Sequence, residues 1–166
     1  MAATYTPIAS TTLATSAASV TFSAIPATYT DLVVKASAKR SISGANNGSW
    51  TINGTTANYS FSRLRGTGSA VAATNGSSLS SLEYGTLNGT ESDAFSSFEI
   101  YIPNYLASAN KPISIFAVSE ANATTAYINA HAQLWSNTSA ITSLTLSMTN
   151  SWAADSTFHL YGIKNS

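Results

Sequence analysis

The chemistry open to this chain is limited first by its two histidines, His131 and His159. Each lies in a run that alternates apolar and polar residues, as in a strand whose side chains point to opposite faces in turn. Alternation puts His131 on one face with Asn129 and Gln133, which we interpret as the polar face. His159 shares a face with Tyr161. A metal site needs further converging ligands, and no HxH or HxxxH spacing supplies them. We therefore predict structural or solvent-facing histidines and no bound metal.

Catalysis by serine or by paired carboxylates finds little support. Serine is abundant, but the Gly-x-Ser-x-Gly elbow of many hydrolases is absent. A glycosidase needs two carboxylates facing each other across a cleft. The candidates for such a pair are Glu91, Asp93, Glu99, Glu120 and Asp155. Glu91 and Asp93 fit a solvated polar loop, and Glu99 an outward-facing strand position. We predict no catalytic residue, no cofactor and no enzymatic activity.

Large aromatic residues are the better argument for binding, since their faces stack on sugar rings and bury large areas at interfaces. The candidates for contact with a partner or a glycan are Trp152, Trp135, Trp50 and Tyr105. For Trp50 and Trp135, the core of a small domain or a subunit interface is the favoured environment. Trp152 lies in a segment of turn-forming residues, 150–155, and is expected to be the most exposed of the four.

These side chains must be positioned by strands, because no apolar pattern keeps a helical period through a capped window. Alternating runs predict about eight to ten strands, and the clearest are 19–23, 32–38, 95–104, 111–118, 126–135, 141–146 and 157–163, with a weaker one at 79–84 among loop-forming residues. The dipeptide Asn53-Gly54 favours a type I′ turn and predicts a hairpin from Trp50 to about Leu64. Residues 66–89 are rich in turn formers and predict a long exposed excursion.

The length of 166 residues fits a single domain, 1–166, with residues 1–18 as a possible N-terminal arm. Many short antiparallel strands in one domain predict an all-β fold. We expect an antiparallel β-sandwich of the jelly-roll kind, with a closed barrel as the alternative.

Charged residues make up only 8% of the chain, against about 25% in an average soluble protein. Seven basic and seven acidic residues cancel, so the chain lacks the basic field that binds nucleic acid or anionic lipid. No run approaches the ~18 apolar residues of a membrane span. The absence of cysteine excludes disulfides. Little charge also means little repulsion between copies, which favours a protein that works inside an assembly.

Segments across nearly the whole chain carry a family resemblance. They are residues 5–9 (YTPIA), 25–32 (IPATYTDL), 58–68 (NYSFSRLRGTG), 98–105 (FEIYIPNY), 134–146 and 156–163 (STFHLYGI). In these segments the chain resembles small structural proteins of tailed bacteriophages, especially phages of cyanobacteria and other aquatic bacteria.

The resemblance implies a jelly-roll sandwich that forms homotrimers, with no catalytic motif to carry over. It implies a place on the virion, either as a capsid decoration (cement) protein in contact with the major capsid protein or as a tail-fibre module. Because the chain has no fibrous or coiled-coil shaft, decoration of the head is the expected role. The alternative is a receptor-binding module that recognises host surface glycans.

Overall fold

Alternation of apolar and polar residues underlies the strands of this protein. The computed structural model describes residues 4–87, 94–120 and 126–164, and within them it contains twelve strands and no helix. The strands are β1 Tyr5–Thr12, β2 Ala17–Phe22, β3 Asp31–Ala38, β4 Asn46–Ile52, β5 Tyr59–Gly66, β6 Val71–Leu79, β7 Leu82–Leu87, β8 Ser96–Ile102, β9 Lys111–Ser119, β10 Tyr127–Trp135, β11 Leu144–Trp152 and β12 Thr157–Ile163. The described part therefore exceeds the predicted eight to ten strands.

The strands form two sheets of unequal width. The large sheet has eight strands in the order β1-β12-β3-β8-β9-β10-β5-β6, and the small sheet has four in the order β2-β11-β4-β7. Every pairing between named strands is antiparallel. The predicted all-β antiparallel sandwich is confirmed, and the strand order is compatible with a jelly roll. Because the small sheet is only half as wide, it leaves part of the large sheet uncovered.

The core lies between the two sheets. Aliphatic side chains of β3 and β8 pack from the large sheet, and those of β4 and β11 from the small one. A set of stacked rings fills one region, with centroids 4.6 Å apart for Tyr84 and Phe98 and 5.7 Å apart for Tyr84 and Trp152. Phe158 meets Trp152 edge-on at 4.8 Å. Such ring pairs stabilise by about 0.5–1.5 kcal/mol beyond the area they bury.

The predicted hairpin from Trp50 to Leu64 is wrong. Asn53 and Gly54 do adopt positive φ, 52° and 65°, as a tight turn requires. However, β4 belongs to the small sheet and β5 to the large one. The turn is held by another segment instead, since the amide of Asn53 donates to the Ala140 carbonyl at 2.8 Å and accepts from the Thr142 N–H at 2.8 Å. The chain thereby crosses the roughly 10 Å between sheets.

Two other segments differ from expectation. Much of the possible N-terminal arm, residues 1–18, is the edge strand β1, which pairs with β12 from Tyr5↔Ile163 to Thr12↔Thr157. Residues 66–89 are no loop excursion as far as Leu87, because they contain β6 and the largely buried β7. Gly76 and Gly85 each lie at a register shift of their strand, and Gly85 keeps a positive φ of 107°, so these glycines fall where the strands are irregular.

Candidate interaction surface

The four aromatic residues predicted as contacts all lie in the core. Trp50 and Trp135 are 1% exposed, and Trp152 and Tyr105 are 0% exposed. The expectation that Trp152 is exposed is therefore wrong, whereas the core environment favoured for Trp50 and Trp135 is confirmed. Trp152 is the last residue of β11, and its indole Nε1 donates to the Leu146 carbonyl at 3.4 Å. As placed, none of the four offers a ring face to a partner or a sugar.

The histidine face of β10 also points inward, contrary to the polar-face interpretation. Asn129, His131 and Gln133 are each at most 4% exposed, between the two sheets. In the strand register His131 lies opposite Arg63 of β5, which forms an ion pair with Glu83 of β7 at 2.7 Å. These five side chains, which we call the inner polar cluster, join both sheets across one end of the core.

Hydrogen bonds within the inner polar cluster centre on Gln133. Its Oε1 accepts from the Trp50 indole at 3.2 Å, and its amide donates to the Glu83 carbonyl. The same amide lies 3.2 Å from His131 Nδ1, which assigns that nitrogen as the acceptor of a neutral ring. Burial, and then the charge of Arg63, lower the pKa of His131 to about 4. A histidine held neutral this way acts as a structural hydrogen-bonding group.

Acid and metal chemistry is not assembled in the described residues. No group of three or more His, Cys, Asp or Glu side chains there could hold a metal ion. Glu99 forms an exposed ion pair with Lys35 at 2.9 Å, which raises the pKa of the lysine. Asp155 lies in the turn before β12, and Glu91 and Asp93 fall outside the described residues.

The outer face of the large sheet carries an exposed apolar patch. Its members are Val71 (80% exposed), Leu64 (58%), Phe116 (53%), Ile128 (49%) and Val118 (37%). Strand register makes them neighbours, because Ile128 lies opposite Val118 on one side and Gly66 on the other. Gly66 in turn lies opposite Val71. These five residues, the apolar patch, therefore form one continuous area over β9, β10, β5 and β6.

The apolar patch contrasts with the other half of the same face. Over β1, β12, β3 and β8 the outer face carries the Lys35–Glu99 ion pair. It also carries Tyr5 and Tyr161, whose rings meet edge-on at 6.1 Å, with the Lys35 ammonium 5.5 Å from the Tyr5 ring centroid. The outer face thus divides into an ionic, aromatic half and an uncharged apolar half.

Sequence reasoning missed the apolar patch, although β9 contains its signal. Ile115, Phe116, Ala117 and Val118 are four consecutive apolar residues, which a strand with one wet face does not need. Their burial alternates, with Ile115 and Ala117 buried and Phe116 and Val118 exposed. An apolar run that breaks alternation indicates a second apolar face.

Strand β6 forms the outer margin of the patch and the last strand of the large sheet. It pairs only with β5, so among the described residues nothing pairs with its other edge. Every residue from Val71 to Asn75 is exposed, which means that neither face of this stretch is covered. The pairing with β5 is regular from Val71 to Gly76 and shifts before Leu79.

Comparison with protein-family models, with curated proteins and with solved structures finds no match to this chain. Within the described ranges, no helix is long and apolar enough to cross a membrane. The sandwich and its divided outer face are therefore the findings from which a function has to be argued.

Proposed function

We propose that this chain is a non-enzymatic structural protein that coats a larger particle through the apolar patch of its large sheet. The particle we propose is the head of a tailed bacteriophage, with the major capsid protein as the partner. The particle comes from the sequence resemblance, and the patch supplies the surface for attachment. The observation that carries the proposal is that five large apolar side chains lie next to each other and exposed on the outer face of the sheet, where polar side chains would be expected.

The area of the patch supports an interface. The exposed fractions correspond to roughly 500 Å² of apolar surface, within the range of about 300–600 Å² for the largest patch on a monomer. Burying this area contributes on the order of 12 kcal/mol at about 25 cal/mol per Å². Association costs about 4–15 kcal/mol, so the patch offsets most of that cost. The surrounding small polar residues then extend the contact toward the about 800 Å² per partner of a stable interface.

The absence of charge on the patch supports a dry contact. None of Leu64, Val71, Phe116, Val118 and Ile128 is charged, and Glu99 lies opposite Phe116 at the margin of the patch. A contact that stops at this margin desolvates no ion. The ion pair on the other half of the face would make docking there more costly. Coating through the apolar half leaves the ionic, aromatic half facing water.

The alternative to a coating function is recognition of host glycans, which depends on exposed aromatic residues. Trp50, Trp135, Trp152 and Tyr105 lie in the core at 0–1% exposure, so they no longer favour that alternative. The exposed patch is mainly aliphatic, and aliphatic side chains lack the flat ring faces on which sugars stack. The coating role is therefore the function that we put forward.

The test is co-sedimentation of the purified protein with phage heads that lack it. We expect saturable binding by the wild-type protein and at least a tenfold weaker association for the double variant Leu64→Ser/Phe116→Ser, an estimate of about 1.4 kcal/mol or more in binding. Tyr5→Ser removes an exposed ring from the other half of the same face and serves as the matched control. Equal binding by the double variant and the control would refute attachment through the patch.

A second measurement addresses the particle itself. Heads coated with the protein should withstand a higher temperature before releasing DNA than uncoated heads, because bound copies stabilise the assembled state by mass action. If wild-type protein neither binds bare heads nor changes their heat resistance, the coating function is wrong, whatever the protein does with its own copies.

A further inference from the structure

We propose that the open edge of β6 pairs with β6 of a second copy of this chain, antiparallel and about a two-fold axis, so that two large sheets become one. This pair takes the place of the homotrimer that the resemblance implies, and it rests on the coating function only for its biological purpose. The pairing of the two strands follows from the open edge of β6.

Among the described residues, the stretch Val71–Gly76 of β6 lacks the devices that normally protect a sheet edge, and the bulge of this strand comes only after Gly76. Natural edges are shielded by charged side chains, proline, bulges or covering segments. The opposite edge of the same sheet shows two of them, because β1 contains Pro7 and its register shifts between Pro7 and Ala9. In β6 the stretch from Val71 to Gly76 has no charge and no proline, and its register with β5 is regular. An edge of this kind is a template for another strand.

The occupant must be an extended strand, because the unpaired groups at an edge are backbone N–H and C=O. In an antiparallel ladder about half of the residues of an edge strand direct these groups outward. A second β6 meets that requirement with the same length and the same small side chains. Like copies also do not repel each other, since the stretch is uncharged and the chain carries seven basic and seven acidic residues.

Symmetry restricts the register of such a pair, and the regular stretch Val71–Asn75 selects Ala73 as its centre. In an antiparallel pair of identical strands the two-fold axis is perpendicular to the sheet. Two residues that lie opposite each other must then direct their side chains to the same side of the sheet. The axis therefore passes beside a residue and never between two residues. Centred on Ala73, the pair places Ala73 opposite its own copy, Ala72 opposite Thr74 and Val71 opposite Asn75. This register uses the regular stretch and stops before the bulge.

The pair also explains where the apolar patch lies. Val71 belongs both to the patch and to the open edge. A two-fold axis perpendicular to the sheet keeps the outer faces of both copies on the same side. Two patches then lie side by side as one face of roughly 1,000 Å², twice the single-copy area and beyond what a monomer commonly exposes. A dimer built this way presents a wide apolar surface to a particle.

Five paired residues give about five backbone hydrogen bonds, at the lower end of the 10 ± 5 of a typical interface. We therefore expect a dimer that dissociates on dilution, and analytical ultracentrifugation over a concentration series should show monomer and dimer in exchange. A trimer with no dimer would overturn the inference, since three copies about a three-fold axis cannot share an isologous edge.

Cysteine scanning tests the register, because the chain contains no cysteine of its own. Single cysteines at positions 71 to 75 are oxidised at a concentration where the dimer forms. Directly opposite Cβ atoms lie about 4.5–5.5 Å apart, so cross-linking should be greatest at Ala73→Cys and fall toward both ends. Ala9→Cys, on the opposite edge, is the matched control and should stay uncross-linked. Equal cross-linking at Ala9 and Ala73 would overturn the pairing.

A charge introduced beside the two-fold axis should weaken the dimer. Ala73→Lys places two ammonium groups opposite each other, and we expect the dimer to weaken at least about fivefold. Ala9→Lys should leave the dimer unchanged. Ala73 is exposed, so the variant should keep the β-sheet circular dichroism of the wild type. Unchanged dimerisation of a folded Ala73→Lys protein refutes the pairing even if the protein coats heads. A dimer that ignores heads refutes only the coating function.

Discussion

The inner polar cluster makes the stability of this protein depend on pH through one residue. His131 is 4% exposed, and burial together with Arg63 lowers its pKa from the ordinary 6.5 to about 4. An unfolded chain binds a proton at this histidine near pH 6.5, whereas the folded chain resists it until about pH 4. The neutral ring therefore contributes stability above pH 6.5 that is lost as the pH falls toward 4.

The magnitude follows from the two pKa values. Between pH 7 and pH 5 the unfolded state gains almost a full proton at His131 that the folded state does not, which costs about 2 kcal/mol of unfolding free energy. For a chain of 166 residues this corresponds to a fall of about 4–8 °C in the melting temperature. Below pH 4 the loss reaches its limit, because both states are then protonated.

The assay is urea unfolding at pH 7, 6 and 5 for the wild type and for His131→Gln, which cannot titrate. Carboxylates contribute to both proteins, so the difference between their pH slopes isolates His131. We expect the wild type to lose about 2 kcal/mol more than the variant between pH 7 and pH 5.

The control is His159→Gln, which removes the other histidine of the chain and leaves His131 in place. It should retain the acid sensitivity of the wild type. Arg63 lies opposite His131 and forms an ion pair with Glu83, and the comparison should hold in a Glu83→Gln background as well. Equal slopes for the wild type and His131→Gln would refute the claim that the folded protein keeps this ring buried and neutral.

Three further variants test packing and surface electrostatics in urea titrations. Gly85→Ala should cost about 1–3 kcal/mol, because φ is 107° there and a Cβ would lie 3.0 Å from the Asn129 amide nitrogen; unchanged stability would contradict the positive φ. Trp152→Ala should cost about 3–5 kcal/mol by opening a cavity among the stacked rings, and a smaller loss would place this ring nearer the surface. Lys35→Met should cost under about 1 kcal/mol and nothing at high salt, since its ion pair with Glu99 is exposed. A larger, salt-independent loss would show that Lys35 acts through packing.

Strand positions could be predicted well from the sequence where alternation is strict. The run 157–163 coincides with β12, and 95–104 and 126–135 contain β8 and β10. In these runs the period of two is imposed by the pleat of the backbone, so side-chain chemistry reports it directly. The class of fold follows, because many such runs without a helical pattern leave few alternatives.

Which face of a strand is buried could not be predicted by polarity alone. In β10 the polar residues Asn129 and His131 point inward, and Ile128 points outward. Polarity gave the wrong answer because Gln133 and Arg63 on this inner face pair with Trp50 and Glu83 of the small sheet, while the outer face carries the apolar patch. The inversion leaves apolar side chains on the outer face, and it becomes visible only once the partner strands are known.

The pairing of strands that are distant in sequence could not be predicted from local patterns either. Asn53-Gly54 forms the turn that its residues favour, yet the strands on either side join different sheets. Trp152 looked like a loop residue because Asn150 and Ser151 precede it, and both do adopt positive φ. Burial of its ring is decided largely by Tyr84 and Phe98, which are distant in sequence.

The pairing of β1 with β12 has a consequence for biosynthesis. β12 lies between β1 and β3, so both strands depend on a partner that the ribosome makes after the other eleven described strands. The large sheet can only be completed once translation has passed Ile163, and until then β1 and β3 lack that neighbour. Proteins with such distant contacts fold slowly, in milliseconds to seconds, and their folding intermediates expose apolar surface that is prone to aggregation. A nascent chain truncated before residue 157 should therefore be a target for chaperones and proteases.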